Sequence, residues 1–264
     1  MTTFPRCRPV AAAILAAERL LVLSGAGLSV PSGIPDFRSA GGLWTRFPPE
    51  DYATIQAFED DPARVWEMNF ALFEQLQAAE PNAGHWAIAE LQGIVEVTVA
   101  TQNIDGLHAA ACSQTVLELH GGKDRLVCLG CDHVSSSAPL IESLASTPPG
   151  DRRPPRCPSC ERVLKPDVVY FGEELPLETY AAAERAARDC DVCLVVGTSA
   201  SVHPAAGLPP LAHQHGARIA EFNLEATDLT RSGIVSDFIA GSADRTLPAL
   251  IMHIRDLRML GPTK

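Results

Sequence analysis

Short apolar runs, each ending in small or polar residues, recur along the chain. Leu20-Leu21-Val22-Leu23 stops at Ser24-Gly25-Ala26-Gly27, and residues 95–100 stop at Thr101. Residues 192–196 stop at Gly197-Thr198-Ser199, and residues 217–222 stop at Asn223. Runs this short and this continuous predict strands buried on both faces. Helical patterns fall between them over residues 11–19, 178–188, 205–215 and 246–258, the third having to accommodate Pro209-Pro210. Alternating strands and helices predict an α/β fold with a doubly wound parallel sheet, whose ligands bind beyond the carboxyl ends of the strands. The polar run-outs lie at those ends.

Two stretches break the alternation. Residues 39–83 carry Gly41-Gly42, Pro48-Pro49 and a helical segment over 62–79. Residues 121–163 carry two Cys-x-x-Cys pairs and a Ser/Pro-rich spacer, 135–155, with room for a short helix at 140–144. Both read as insertions that together build a smaller domain, a helical module (39–83) and a metal module (121–163). Residues 10–38, 84–120 and 164–258 then form the main domain. Residues 1–9 read as a poorly ordered tail, and no internal repeat is present.

The cysteines narrow the chemistry most. Cys128/Cys131 and Cys157/Cys160 are separated by 25 residues, and the two-residue gap in each pair lets both thiolates face one ion. A closed Cys₄ set has no open coordination position, which makes one Zn²⁺ per chain structural. Cys190 and Cys193 form a third such spacing, but Cys193 falls inside an apolar run and reads as core. No role is evident for Cys7 and Cys112. No leader-like segment or membrane-length apolar run is present, so the thiols suggest a reducing, cytoplasmic setting. The 32 acidic against 21 basic residues leave a net charge of −11, which argues against nucleic acid and anionic membranes as partners and suits lysine-bearing protein segments.

Gly25-Ala26-Gly27 follows the first strand, where glycines admit close backbone approach and N–H donation to a phosphate. The alternative is a tight strand-to-helix turn. Val30 occupies the place of a third glycine, and the stiff run through Pro31-Ser32-Gly33-Ile34-Pro35-Asp36 argues against a plain hydride-transfer fold. Among eight histidines, His120 stands between the strand-like Val116-Leu117-Glu118-Leu119 and Gly121-Gly122, where an imidazole can enter a cleft as a general base. His85, His133, His213, His215 and His253 lack such company; His108 and His203 lie in site-like loops.

These motifs, in this order, resemble those of the sirtuins. Gly25-Ala26-Gly27-Leu28-Ser29, Ser32-Gly33-Ile34-Pro35-Asp36-Phe37-Arg38, Thr101-Gln102-Asn103-Ile104-Asp105-Gly106-Leu107-His108, His120-Gly121, the four cysteines, Lys165-Pro166-Asp167-Val168-Val169-Tyr170-Phe171-Gly172-Glu173, Gly197-Thr198-Ser199 and Asn223-Leu224-Glu225 span about residues 11–250. The resemblance, of bacterial type, implies a Rossmann-like NAD domain with a smaller zinc and helical domain. The implied activity is NAD-dependent removal of acyl groups from protein lysines, releasing nicotinamide and O-acyl-ADP-ribose. The amide oxygen of the acyl-lysine attacks the ribose carbon that bears nicotinamide. His120 then acts as base on the ribose hydroxyls, with Asn103 and Asp105 also catalytic.

By the same resemblance, Gly25, Ala26, Gly27, Ser29, Asp36, Phe37, Arg38, Gln102, Asn103, Ile104 and Asp105 would hold the nicotinamide and ribose. Gly197, Thr198 and Ser199 would hold phosphate and ribose, Asn223 the adenosine ribose, and the backbone at Ser242-Ala243 the adenine. Val168, Phe171, Gly172, Glu173 and Val202 would contact acyl-lysine, partly by strand pairing with the peptide, and Leu72 would face the acyl group. Relatives that prefer succinyl- or malonyl-lysine carry a Tyr-x-x-Arg pair where this chain has Asn69 and Leu72. Leu72 cannot pair with a carboxylate, which predicts neutral acyl groups. Two further departures are His203, where many relatives carry an aromatic residue, and Gly122-Lys123 near the expected pocket mouth. The competing readings are ADP-ribosyl transfer or NAD hydrolysis on the same fold, a non-catalytic zinc-bearing interaction module and, least of all, a DNA-binding module. Oligomeric state is open.

Overall fold

The computed structural model describes residues 4–260. In chain order the elements are α1 (Cys7–Ala16), β1 (Arg19–Ser24), α2 (Leu43–Arg46), α3 (Pro49–Tyr52), α4 (Ile55–Asp60), α5 (Pro62–Ala78), α6 (Ala83–Leu91), β2 (Glu96–Thr101), α7 (Leu107–Ala110), β3 (Val116–Glu118), β4 (Gly121–Val127) and β5 (Val134–Ser136). They continue with α8 (Ala138–Leu144), β6 (Lys165–Val168), α9 (Leu177–Asp189), β7 (Val192–Val196), α10 (Leu208–Gln214), β8 (Arg218–Asn223), α11 (Asp228–Arg231), β9 (Asp237–Ala240) and α12 (Ala243–Leu260).

Six strands form one parallel sheet in the order β3-β2-β1-β7-β8-β9. The chain therefore winds outward from β1 on one side and from β7 on the other, as the apolar runs predict. Alternate side chains serve the two faces. Leu20, Val22, Val97, Val99, Leu194 and Phe222 pack under α1, α6 and α12. Leu21, Leu23, Cys193, Val195 and Ile219 pack under α9 and α10. Cys193 is fully buried there, as its strand position requires.

The N-terminal tail is shorter than the sequence suggests. α1 already starts at Cys7, whose buried side chain and that of Val10 join the core beneath α12. Met1, Thr2 and Thr3 of that expected tail lie outside the described residues. β9 is also absent from the sequence reading: its Asp237-Phe238-Ile239-Ala240 is too short and too polar at its start to stand out.

β5-β4-β6 form a second, antiparallel sheet. The Ser/Pro-rich spacer is ordered as β5 and α8, and α8 begins two residues earlier than the short helix expected at 140–144. α5 and this sheet share one core, with Val65, Trp66, Phe73 and Leu76 packed on Leu126, Leu164, Cys128 and Cys157. Trp66 is fully buried, and its Nε1–H donates to Leu164 O at 2.8 Å.

That contact ties α5 to the residue just before β6, and so the helical module to the small sheet. Trp66→Ala is expected to cost about 3–5 kcal/mol and to leave the Leu164 carbonyl without its donor. A lowered midpoint in chemical denaturation checks this, and an unchanged midpoint contradicts it.

Candidate active site and metal centre

The sheet's winding reverses between β1 and β7, and the loops leaving these strands meet there. Gly25 N–H donates to Val196 O at 3.0 Å and Gly27 N–H to Gly197 O at 2.8 Å. A Cβ on Gly25 would fall 2.6 Å from Thr198 Cβ, and one on Gly27 would fall 2.8 Å from Gly197 O. The glycines are needed for this loop-to-loop contact, and two of the N–H groups expected to face a phosphate are used within the protein. The chain then takes two tight 3-10 turns, Ala26–Leu28 and Val30–Ser32, rather than a long helix.

Above this point opens a cleft of about 920 Å³. Its wall at the β1–β7 crossing consists of Gly25, Ala26, Gly27, Gln102, Asn103, Ile104, Gly197, Thr198 and Ser199. Asn223 and Ala243 line the end near β8, and Asp36, Phe37 and Arg38 also line the cleft. Val168, Phe171, Gly172, Glu173, Val202 and Leu72 line the remaining side. Two expected site residues lie just behind the wall. Ser29 Oγ donates to Asp105 Oδ2 at 2.7 Å, and both residues are buried.

A hydrogen-bonded chain fixes the wall. Asn103 Nδ2 donates to Gly25 O and to Ser29 Oγ, both at 3.1 Å. Asp105 Oδ1 accepts Leu107 N–H at 2.9 Å. Gln102 Nε2 donates to Thr198 Oγ1 at 2.9 Å, and Asn223 Nδ2 to Thr198 O at 2.9 Å. His120 Nδ1 lies 3.0 Å from Gln102 O. A carbonyl can only accept, so Nδ1 carries the proton and Nε2 keeps its lone pair. Burial lowers the His120 pKa below the usual 6.5, against the opposing effect of the bond to Gln102. The imidazole is therefore a neutral base at pH 7.

The loop at residues 36–39 is held by Asp36, whose Oδ1 accepts Ser39 N–H at 2.8 Å and Arg38 N–H at 3.1 Å. Arg38 Nη1 reaches Ser199 Oγ and Ser201 Oγ, each at 3.1 Å. The guanidinium and these hydroxyls make a donor set suited to a diphosphate. The Trp44 ring is tilted against its neighbours, its centroid 5.0 Å from that of Phe37 and 6.5 Å from that of Phe171, extending an aromatic rim that sequence reasoning missed.

Met68, Asn69 and Leu72 present one face of α5 to the cleft, with Leu43 and Ala53 beside them. Both amide protons of Asn69 are used: Nδ2 donates to Val65 O at 3.0 Å and to Tyr170 Oη at 2.9 Å. Glu173 lines the cleft, and its Oε2 accepts from Lys165 Nζ at 3.0 Å and from Tyr170 N–H at 2.7 Å. Lys123 is not at the mouth; its N–H donates to Ile104 O at 3.2 Å and its ammonium pairs with Asp124, behind the wall.

Sequence reasoning also passed over His85. It sits buried against His108, ring centroids 5.2 Å apart, near Asp105. His108 Nε2 lies 2.8 Å from Ser24 Oγ. Burial lowers His108 to about 3, aided by His85, and lowers His85 to about 4 despite Asp105. The available signal was Asn82, three residues before His85, which forms a capping box with it.

Far from the sheet, Sγ atoms of Cys128, Cys131, Cys157 and Cys160 lie within 4.8 Å of one another. Cys128–Cys160 and Cys131–Cys157 are 3.4 and 3.5 Å apart, near the roughly 3.8 Å edge of a tetrahedron with 2.3 Å Zn–S bonds. Gly130 N–H and Ser159 N–H point at Cys128 Sγ and Cys157 Sγ, each at 3.4 Å, as donors to thiolates do. The donor set fits a structural zinc ion.

A doubly wound sheet whose switch-point cleft has a polar wall and a neutral histidine, with a separate Cys₄ module, defines a nucleotide-dependent enzyme. Residues 25–204 match the model of the Sir2 family. Over 247 residues the chain is 43% identical to NAD-dependent protein deacylase 2 of Pyrobaculum aerophilum, covering 93% of this chain and 95% of that one. A Sir2 homologue solved with NAD superposes with a TM-score of 0.83 at 37% identity, covering 94% and 93% of the two chains. Sir2Af2, solved with a myristoylated histone peptide, gives 0.80 at 35%, covering 97% and 99%. The chain belongs to the Sir2 family.

Two outcomes follow from this geometry. Cys157→Ser should reduce bound zinc from one ion per chain to near none by elemental analysis, with a lower melting temperature because the α5 core loses its anchor; full zinc retention would contradict the assignment. The second concerns pH. The unfolded chain binds protons on His85 and His108 below about 6.5, whereas the fold resists them down to about 4 and 3. Stability should therefore fall as pH drops below 6.5. Melting curves from pH 7.5 to 4.5 should show this, with a shallower slope in His108→Gln.

Proposed function

We propose that the chain is an NAD-dependent protein-lysine deacylase acting on neutral acyl groups. The observation that carries this reading is His120 Nε2, an unprotonated base in the cleft, held by Gln102 O beside the switch-point wall. Support also comes from the deacylase name of the P. aerophilum relative and from the acyl-peptide complex of Sir2Af2.

NAD, the co-substrate, supplies an electrophilic ribose carbon and nicotinamide as leaving group. Ser199, Arg38 and Ala26 would hold its diphosphate, Asn223 and the backbone at Ala243 its adenosine. Asn103, Ile104 and Asp105 would receive the nicotinamide end, with Gly25, Gly27 and Thr198 giving the wall its shape and Ser29 fixing Asp105. Phe37 would cover the reacting carbon against water. His120 would take a proton from a ribose hydroxyl at Nε2 while Nδ1–H stays on Gln102 O. Val168, Phe171, Gly172 and Val202 would flank the acyl-lysine peptide.

The acyl group would run along Met68 and Leu72. None of the cleft residues on that side, Leu43, Ala53, Met68, Asn69 and Leu72, carries a positive charge, and the Asn69 amide is already bonded to Val65 O and Tyr170 Oη. A succinyl carboxylate would be buried without a partner.

The separate cores under the six-stranded sheet and around α5 support a main domain of 10–38, 84–120 and 164–258, with helical (39–83) and zinc (121–163) modules beside it. No helix among the described residues is long and apolar enough to cross a membrane. A reducing, cytoplasmic setting would keep the four cysteines of the metal cluster available as thiolates.

The test supplies NAD with acetyl-, propionyl- and succinyl-lysine peptides and follows products by mass spectrometry. Acetyl and propionyl peptides should yield O-acyl-ADP-ribose, succinyl on the order of 100-fold less, and His120→Ala should abolish turnover. NAD consumption independent of peptide would move the protein to the hydrolase or transferase class. In the pH profile, the neutral imidazole is the active form. Activity should rise with pH through the lowered His120 pKa and reach its plateau by pH 7; an acid limb centred above 6.5 would contradict the assignment.

A further inference from the structure

The segment Val168–Gly172, which would dock the substrate peptide, is pinned from both sides. Val169 N–H donates to His120 O at 2.8 Å, while Phe171 exchanges bonds with Ala53 O and Ile55 N–H at 2.8 and 3.0 Å. Between these pins lies one buried cation. Lys165 is 3% exposed, and its Nζ donates to Val168 O at 2.6 Å, Pro166 O at 3.2 Å and Glu173 Oε2 at 3.0 Å. All three ammonium protons are thereby used. Glu173 Oε2 also takes Tyr170 N–H, so the ion pair closes the segment into a loop from both ends. Tyr170 continues the connection through Asn69 to the helix beneath the acyl group.

A pair this deep loses much hydration, and an apolar pair of equal volume would serve stability as well. Its distinctive effect is to set conformation. We infer that Lys165, which touches no reacting group, is a positioning residue for the acyl-lysine peptide: with Glu173 it holds residues 168–173 in their peptide-docking form. The inference rests on the deacylase reading above.

Steady-state kinetics of Lys165→Met and of the double variant K165M/E173Q test it, using acetyl-lysine peptide and NAD, with melting temperatures in parallel. Lys165→Met should raise the peptide KM roughly tenfold while kcat and the NAD KM stay within about twofold. The double variant no longer buries an unpaired carboxylate, so it should regain melting temperature and keep the raised peptide KM; it also reads the effect if Lys165→Met alone does not fold. An unchanged peptide KM in Lys165→Met would overturn the inference. So would a double variant that restores peptide KM together with stability, or failure of both variants to fold, since the pair would then serve the fold alone. Absence of peptide-dependent turnover in the unaltered protein would instead remove the deacylase reading.

Discussion

The site depends on two backbones touching where the sheet reverses. Gly27 N–H meets Gly197 O with no room for a side chain between them. This contact sets the distance between the loops after β1 and β7, and the polar wall is built on it. Asn103 bonds to Gly25 O, Gln102 to Thr198, Asn223 to Thr198 O, and His120 to Gln102 O. Four strands thus deliver side chains into one rigid frame, and the His120 imidazole is oriented by a carbonyl that the frame itself positions. Catalysis by preorganised groups requires such rigidity, because a displacement of an ångström at the reacting centre is costly in rate.

The opposite side of the cleft follows a different logic. It is assembled from two insertions that become a unit by sharing a core through Trp66, Phe73 and Leu126, with Leu164 just before β6. The cysteine cluster closes the far end of that core, with Cys128 and Cys157 buried within it. A metal distant from the chemistry can therefore govern whether the α5 face and the 168–173 segment confront the switch-point wall.

Much of this was legible in the sequence because the signals are local. Continuous apolar runs mark the central strands, and paired thiols at fixed spacing mark the metal module. What stayed hidden was set by contacts between distant segments. β9 is stabilised by β8 rather than by its own composition. The glycines near residue 25 read as a phosphate loop or a tight turn, and their contact with Val196 and Gly197 is visible only in the fold. The ion pair between Lys165 and Glu173 is likewise not announced by any local pattern. His85 is unremarkable in sequence and becomes part of a buried histidine pair because α6 packs beside α7.

The most direct measurement is a crystal structure of the protein with NAD and an acetyl-lysine peptide. The account predicts the nicotinamide ribose at His120 Nε2, the peptide backbone along residues 168–172, and the acetyl group directed toward Met68 and Leu72. A peptide bound outside the cleft, or His120 turned so that Nε2 rather than Nδ1 meets Gln102 O, would contradict it.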